Sequence, residues 1–189
     1  MQYVFVIACR RSRLSVHARR PHIQQAKCEH LALSSNNIEK VTGLKGLKSL
    51  KVLSLGRNLL KKFDGIEEVA DSLEQLWLSY NLIEKMAGVE ALTNLKTLYM
   101  SNNLVTKWAE VARLAGLPFL EELLLQGNPI YNDFIAVGTY RIQCAGRMNK
   151  LAKLDGAPVF AEERQLGIAL DSSHADIYRL TLLHRCFSA

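Results

Sequence analysis

The chain has little sulfur chemistry to work with. Four cysteines occur in 189 residues, at Cys9, Cys28, Cys144 and Cys186, and no two form a C-x-x-C pair. Both a disulfide framework and a thiolate metal site lose their usual sequence basis. A reducing intracellular compartment fits this usage best. Long apolar runs are also missing. The longest near the start, Tyr3–Cys9, is too short to span a bilayer, and its arginines follow it instead of preceding it, the wrong order for a secretory leader. The phosphate-binding and nucleophile-elbow patterns G-x-G-x-x-G, G-x-x-x-x-G-K-[ST] and G-x-S-x-G are absent too. Acidic residues are lacking from residues 1–27, which carry Arg10, Arg11, Arg13, Arg19, Arg20 and Lys27. The formal charge of +6 therefore belongs to this segment, because residues 28–189 hold 18 basic and 18 acidic side chains. A balanced body argues against a broad nucleic-acid footprint.

What is present is a repeat. The pattern L-x-x-L-x-L-x-x-N-x-L begins at residues 28, 50, 73, 95 and 120, in CEHLALSSNNI, LKVLSLGRNLL, LEQLWLSYNLI, LKTLYMSNNLV and LEELLLQGNPI. This is the leucine-rich-repeat period. The fourth and sixth positions are apolar in every copy: Leu31 and Leu33, Leu53 and Leu55, Leu76 and Leu78, Leu98 and Met100, Leu123 and Leu125. Such alternation predicts a short strand with one inward face. Stacking in chain order makes the strands parallel, and a parallel sheet needs cover. The returns supply it with apolar residues about three apart, a spacing suited to short helical or 3₁₀ turns. The predicted fold is an α/β leucine-rich-repeat solenoid, with a concave parallel sheet, a convex side of short helical returns and a C-terminal helical cap.

The expected organisation has three parts. Residues 1–27 form a basic, poorly ordered arm (an Arg-rich stretch that weakly resembles a mitochondrial transit peptide). Residues 28–159 form the repeat domain and its cap. Residues 160–189 form a tail containing weakly amphipathic helical stretches. Within the cap, Ile135, Tyr140, Ile142 and Met148 are expected to supply the apolar side of a helix interrupted by Gly138 and Gly146. Leu151 and Leu154 repeat half of the pattern before LDGAPV turns the chain.

The ninth position is Asn36, Asn58, Asn81, Asn103 and Asn128. A side-chain amide offers donors and an acceptor where the strand bends, so these residues are expected to form a structural ladder. Positions three, five and eight project from the concave face. Position five reads Ala32, Ser54, Trp77, Tyr99, Leu124, and position eight reads Ser35, Arg57, Tyr80, Asn102, Gly127. Trp77, Tyr99 and Leu124 fall in adjacent rungs, bordered by Arg57, Tyr80 and Asn102. Aromatics beside arginine on an exposed sheet match the composition of protein-binding hot spots, and a helix lying across the sheet is the natural occupant. Lysine clusters at Lys45, Lys48 and Lys51 and at Lys61 and Lys62 read as solvated turns that could also meet an acidic surface such as tubulin's.

No catalytic set emerges. His17, His22, His174 and His184 lie near the ends, and His30 stands beside Glu29 with no nucleophile expected nearby. Ser172 and Ser173 adjoin His174 on a loop-like stretch, a weak basis for a nucleophile–base pair. Glu121 and Glu122 are expected at a strand edge, tuning partner charge. No enzyme activity, cofactor, metal, nucleic acid or membrane is expected.

The wording of the repeats is more specific than the consensus. LGRN, LEQLWLSYNLIEK, LKTLYMSNNLV, the W-A-E of 108–110, GNPIY and KLAKLDGAPV together resemble the leucine-rich-repeat light chains of the axonemal outer dynein arm, over about residues 28–159. This resemblance implies a non-catalytic subunit of the cytoskeleton of cilia and flagella. Its sheet would meet the microtubule-binding stalk tip of a dynein heavy chain and modulate motor–microtubule interaction, with tubulin as a further possible contact. Family members begin with a helical segment and end in a longer helix with an acidic tail, and both ends differ here, so no role of those ends is carried over. The competing readings are a phosphatase-regulating repeat protein and a spliceosomal scaffold.

Overall fold

The computed structural model describes residues 8–9, 27–135 and 138–172. It contains one eight-stranded sheet whose spatial order follows chain order. The strands are β1 (Ala8–Cys9), β2 (His30–Ala32), β3 (Val52–Ser54), β4 (Gln75–Trp77), β5 (Thr97–Tyr99), β6 (Glu122–Leu124), β7 (Lys153–Leu154) and β8 (Ala157–Pro158). β2 to β7 run parallel. β1 and β8 pair antiparallel at the two edges. The fourth position sets the register: Leu31, Leu53, Leu76, Leu98, Leu123 and Leu154 stand opposite one another. All six are buried. A slip of one residue would turn this row to solvent, at a cost of roughly 1.5–3 kcal/mol per leucine.

The strands are short for a local reason. Position eight is left-handed in all five repeats, with φ of 60° at Ser35, 56° at Arg57, 61° at Tyr80, 54° at Asn102 and 81° at Gly127. The chain turns there and the following asparagine swings inward. Asn58 Oδ1 accepts from the Ile38 amide at 3.0 Å, and its Nδ2 donates to the carbonyls of Leu33 at 3.0 Å and Leu55 at 2.8 Å. Asn81, Asn103 and Asn128 repeat this arrangement, each reaching the amide and carbonyl of the preceding rung. Asn36 has no earlier repeat to bridge, and its amide donates to Leu33 and Ser34 of its own rung.

On the convex side the returns are 3₁₀ turns at Ile66–Val69 and Val89–Ala91, then α1 (Trp108–Ala112) running into a 3₁₀ turn at Arg113–Gly116. Their inward residues, including Phe63, Ile66, Met86, Val89, Val111 and Leu114, join the strand leucines in one core.

The cap is built from α2 (Pro129–Ile135), α3 (Tyr140–Arg147) and α4 (Ala161–Ser172). It corrects the expected single helical side. Tyr140 and Met148 are buried, but Ile135 is 45% exposed, and the inward face of α3 is Tyr140, Gln143, Cys144 and Ala145. Gly146 does not interrupt the helix. α4 crosses α3 there, against Gly167, and a Cβ on Gly167 would run into the Ile142 carbonyl. Arg141 secures the crossing: Nε donates to Glu163 Oε1 at 2.7 Å, and other nitrogens reach the Leu154 and Pro158 carbonyls. Arg164 donates to the carbonyls of Asn149 and Leu151 at 3.0 Å each. β7 and β8 join through Asp155 (φ 49°) and Gly156 (φ 83°), two left-handed residues in succession as a tight hairpin requires. Of the basic arm only Ala8, Cys9 and Lys27 are described, and residues 173–189 of the tail lie outside the described residues.

Candidate protein-binding face

The concave face takes its shape from cross-strand neighbours. Trp77 pairs with Ser54 on one side and Tyr99 on the other, and Tyr99 pairs in turn with Leu124. Serine is too small to cover the indole, so Trp77 stays 39% exposed. Tyr99 and Leu124 are half-buried. The rings of Trp77 and Tyr99 stack with centroids 6.0 Å apart and planes 21° from parallel. Burial pushes the Tyr99 phenol above its ordinary value, and the nearby Glu122 carboxylate pushes the same way. Glu122 is held by Lys153 at 2.8 Å. It lies between β5 and β7 and not at an edge, because the half-repeat around Leu154 adds a sixth parallel rung.

Position eight supplies the border. Tyr80 is 52% exposed, and the Arg57 guanidinium lies over its ring at 4.9 Å from the centroid. Both residues hold left-handed backbone, which for bulky side chains is uncommon and costs about 1–2 kcal/mol. Asn102 is exposed on the next rung, in a conformation asparagine tolerates. The five repeats thus bring Arg57, Trp77, Tyr80, Tyr99, Asn102 and Leu124 onto adjoining rungs, forming an aromatic centre beside one cation and a neutralised Glu122–Lys153 pair. Such a surface can receive the apolar side of a helix and close over it with polar contacts.

The residues weighed for chemistry do not converge. His30 is exposed on β2, away from the Glu122–Lys153 pair at the other end of the sheet. His17, His22, Ser173, His174 and His184 lie outside the described residues. Among the described residues no group of three or more His, Cys, Asp or Glu is placed to hold a metal, and no helix is long and apolar enough to cross a membrane. Cys144 is buried, and burial pushes its thiol well above the ordinary range. Lys48 and Lys51 share a groove with Glu29, Asp71 and Glu74, and Lys96 pairs with Glu74 at 2.8 Å, so that cluster is partly balanced.

Sequence reasoning missed a second row. Leu59, Leu82 and Leu104, the tenth residues of three successive repeats, are 39%, 36% and 40% exposed. The signal was available: the tenth position is leucine three times running, where the inward pattern asks for nothing.

Comparison with known proteins agrees with this architecture. Leucine Rich repeats (2 copies) match residues 27–68 and 71–113. The chain is 52% identical over 171 residues to dynein axonemal light chain 1 of Chlamydomonas reinhardtii, covering 85% of this chain and 86% of that one. It is 59% identical over 140 residues to dynein axonemal light chain 1 of Rattus norvegicus, covering 74% of each. Among solved structures, the Drosophila melanogaster SNF/U2A′ complex contains a chain of the same fold, with a TM-score of 0.69 at 24% identity, covering 80% of this chain and 86% of that chain. Identity above half the aligned residues, across most of both chains, goes well past a shared repeat, and the chain belongs to the dynein axonemal light chain 1 family of leucine-rich-repeat proteins.

Proposed function

We propose that this protein is a non-catalytic dynein light chain of the ciliary or flagellar axoneme. Its concave sheet grips the microtubule-binding stalk tip of an outer-arm dynein heavy chain. The observation that carries this reading is the stacked, solvent-facing Trp77–Tyr99 pair at the middle of the sheet. Folding does not require rings at these two outward positions, whereas a partner helix would gain from burying them. The names of the relatives support dynein as the partner and the axoneme as the setting; the heavy chain and its stalk tip are this proposal's own step.

The mechanism needs no bond chemistry. A rigid cradle that fits one arrangement of the stalk tip better than another shifts the balance between them by its differential affinity. If those arrangements differ in hold on the microtubule, the light chain tunes that hold by the same free energy. Direct contact with tubulin would add to this effect and is not required by it.

Axoneme fractionation tests the assignment. The protein should sediment with axonemes, leave them in high salt and co-purify with an outer-arm heavy chain. Recovery with a nuclear ribonucleoprotein fraction instead would overturn it.

A further inference from the structure

Two columns of side chains cross the rungs on the loop that leaves the sheet. The tenth position gives Leu59, Leu82 and Leu104. The thirteenth gives lysine in four successive repeats: Lys40, Lys62, Lys85 and Lys107. All seven are exposed. Between them the loop turns its eleventh and fourteenth residues inward, in the pairs Ile38 and Val41, Leu60 and Phe63, Ile83 and Met86. The loops are locked in step. The amides of Leu59, Leu82 and Leu104 each donate to the eleventh-position carbonyl of the preceding rung, those of Ile38, Leu60 and Ile83, at 2.9 Å.

Neither column serves the core. Like charges side by side on neighbouring rungs repel and destabilise the fold. Among the described residues no carboxylate forms an ion pair with any of the four lysines, whereas Lys96, Arg113, Arg141 and Lys153 are each paired. At the twelfth position Glu39 and Glu84 alternate with Lys61 and Thr106, so the strip keeps three net positive charges. A cationic row beside an apolar row, both in fixed register, is a surface with two matched demands.

We propose that this flank is a second docking surface, separate from the concave sheet, and that its occupant is an acidic amphipathic helix of another polypeptide. The helix lies across the rungs with leucine-like side chains on Leu59, Leu82 and Leu104 and carboxylates on the lysine row. Spacing favours a helix over an extended segment. Turns of an α-helix repeat about every 5.4 Å against about 4.8 Å between rungs, a drift of about 2 Å over three intervals that lysine side chains absorb. Alternate residues of an extended chain stand about 6.6 Å apart and drift by about 5 Å. A nucleic acid would use the lysines and leave the leucines in water. A membrane would want a wider apolar face than one row of three.

The test uses the full chain and a synthetic helical peptide with glutamates at i, i+4, i+7 and i+11 and a leucine after each. The peptide should bind in low salt and weaken as salt rises. K40Q/K62Q/K85Q/K107Q, and separately L59S/L82S/L104S, should each weaken it by about tenfold or more. The charge-reversed K40E/K62E/K85E/K107E should instead bind a version of the peptide with lysine for glutamate, a rescue that a folding defect cannot produce. W77A/Y99A should leave peptide binding unchanged, which separates this surface from the concave one. Equal binding of a scrambled peptide, of phosphatidylserine vesicles or of a single-stranded oligonucleotide would overturn the proposal, as would no binding of the ordered peptide.

Discussion

The amide of Leu125 donates to Asp155 Oδ1 at 2.7 Å, where the same amide in every earlier repeat donates to a backbone carbonyl. Those earlier bonds run from Leu33 to Ser54, Leu55 to Trp77, Leu78 to Tyr99 and Met100 to Leu124. The Gln126 amide meets the same oxygen at 2.9 Å. The sixth rung ends at Leu154, and one carboxylate thus takes the place of the backbone carbonyl that a full rung would have supplied. Asp155→Ala should cost about 1–3 kcal/mol, because it leaves the part-buried Leu125 amide without its acceptor while water can reach the exposed Gln126 amide. Asp155→Asn, which keeps an oxygen in place, should cost clearly less. Urea unfolding of the two variants checks the ordering.

The asparagine ladder predicts a gradient. Asn81→Ala removes bonds to Leu60, Leu55 and Leu78 from a buried site, and stability should fall by about 2–4 kcal/mol. Asn36→Ala removes only bonds within its own rung and should cost less than half as much. Thermal melts of both variants check this, and equal losses would contradict the ladder.

Position eight sets stability against binding. Tyr80 holds φ of 61°, a conformation asparagine accepts more readily than tyrosine. Tyr80→Asn should leave stability unchanged or raise it by up to about 1 kcal/mol. It should weaken heavy-chain binding by about tenfold, through loss of the ring and its Arg57 contact. Melting temperature and affinity, measured on the same preparation, should part company: affinity falls while the melting temperature does not.

Acid should loosen the cap first. The hydrogen bond from Arg141 holds the Glu163 carboxyl below its usual range. A depressed folded-state pKa means that the unfolded chain binds more protons as pH falls, so this contribution is present above the ordinary carboxylate range and is lost on descending through the folded value. With the intrinsic slowing of amide exchange in acid divided out, α4 amides should lose protection, exchanging faster for their pH, between about pH 5 and pH 3, before those of the β3–β6 rungs. Glu163→Gln should show the faster exchange already at neutral pH, by on the order of 1–2 kcal/mol.

The repeat body was legible because each rung states the same physical demand in the same place. Period, inward leucines, the asparagine at each bend and the outward Trp77 and Tyr99 all follow from counting within one motif. The cap was less legible because its determinants occur once. Gly146 looks like a helix breaker until Gly167 is seen to cross it, and nothing periodic links two residues so far apart. Ile135 looks like core, but the chain turns at Gly138 before it can be covered. Asp155 fits turn chemistry in the sequence, and its carboxylate also accepts the Leu125 and Gln126 amides that lie beyond the end of the sixth rung. The exposure of Leu59, Leu82 and Leu104 is hard to read from sequence because leucine is also the residue of the inward positions.

The most direct measurement is calorimetric titration of a recombinant outer-arm heavy-chain stalk tip into the wild-type protein and into W77A/Y99A, with circular dichroism confirming equal folding. Each buried ring at a hot spot is worth about 2 kcal/mol or more, so the double variant should bind at least about a hundredfold more weakly. Wild-type affinity in that variant would show that the concave sheet is not the gripping surface.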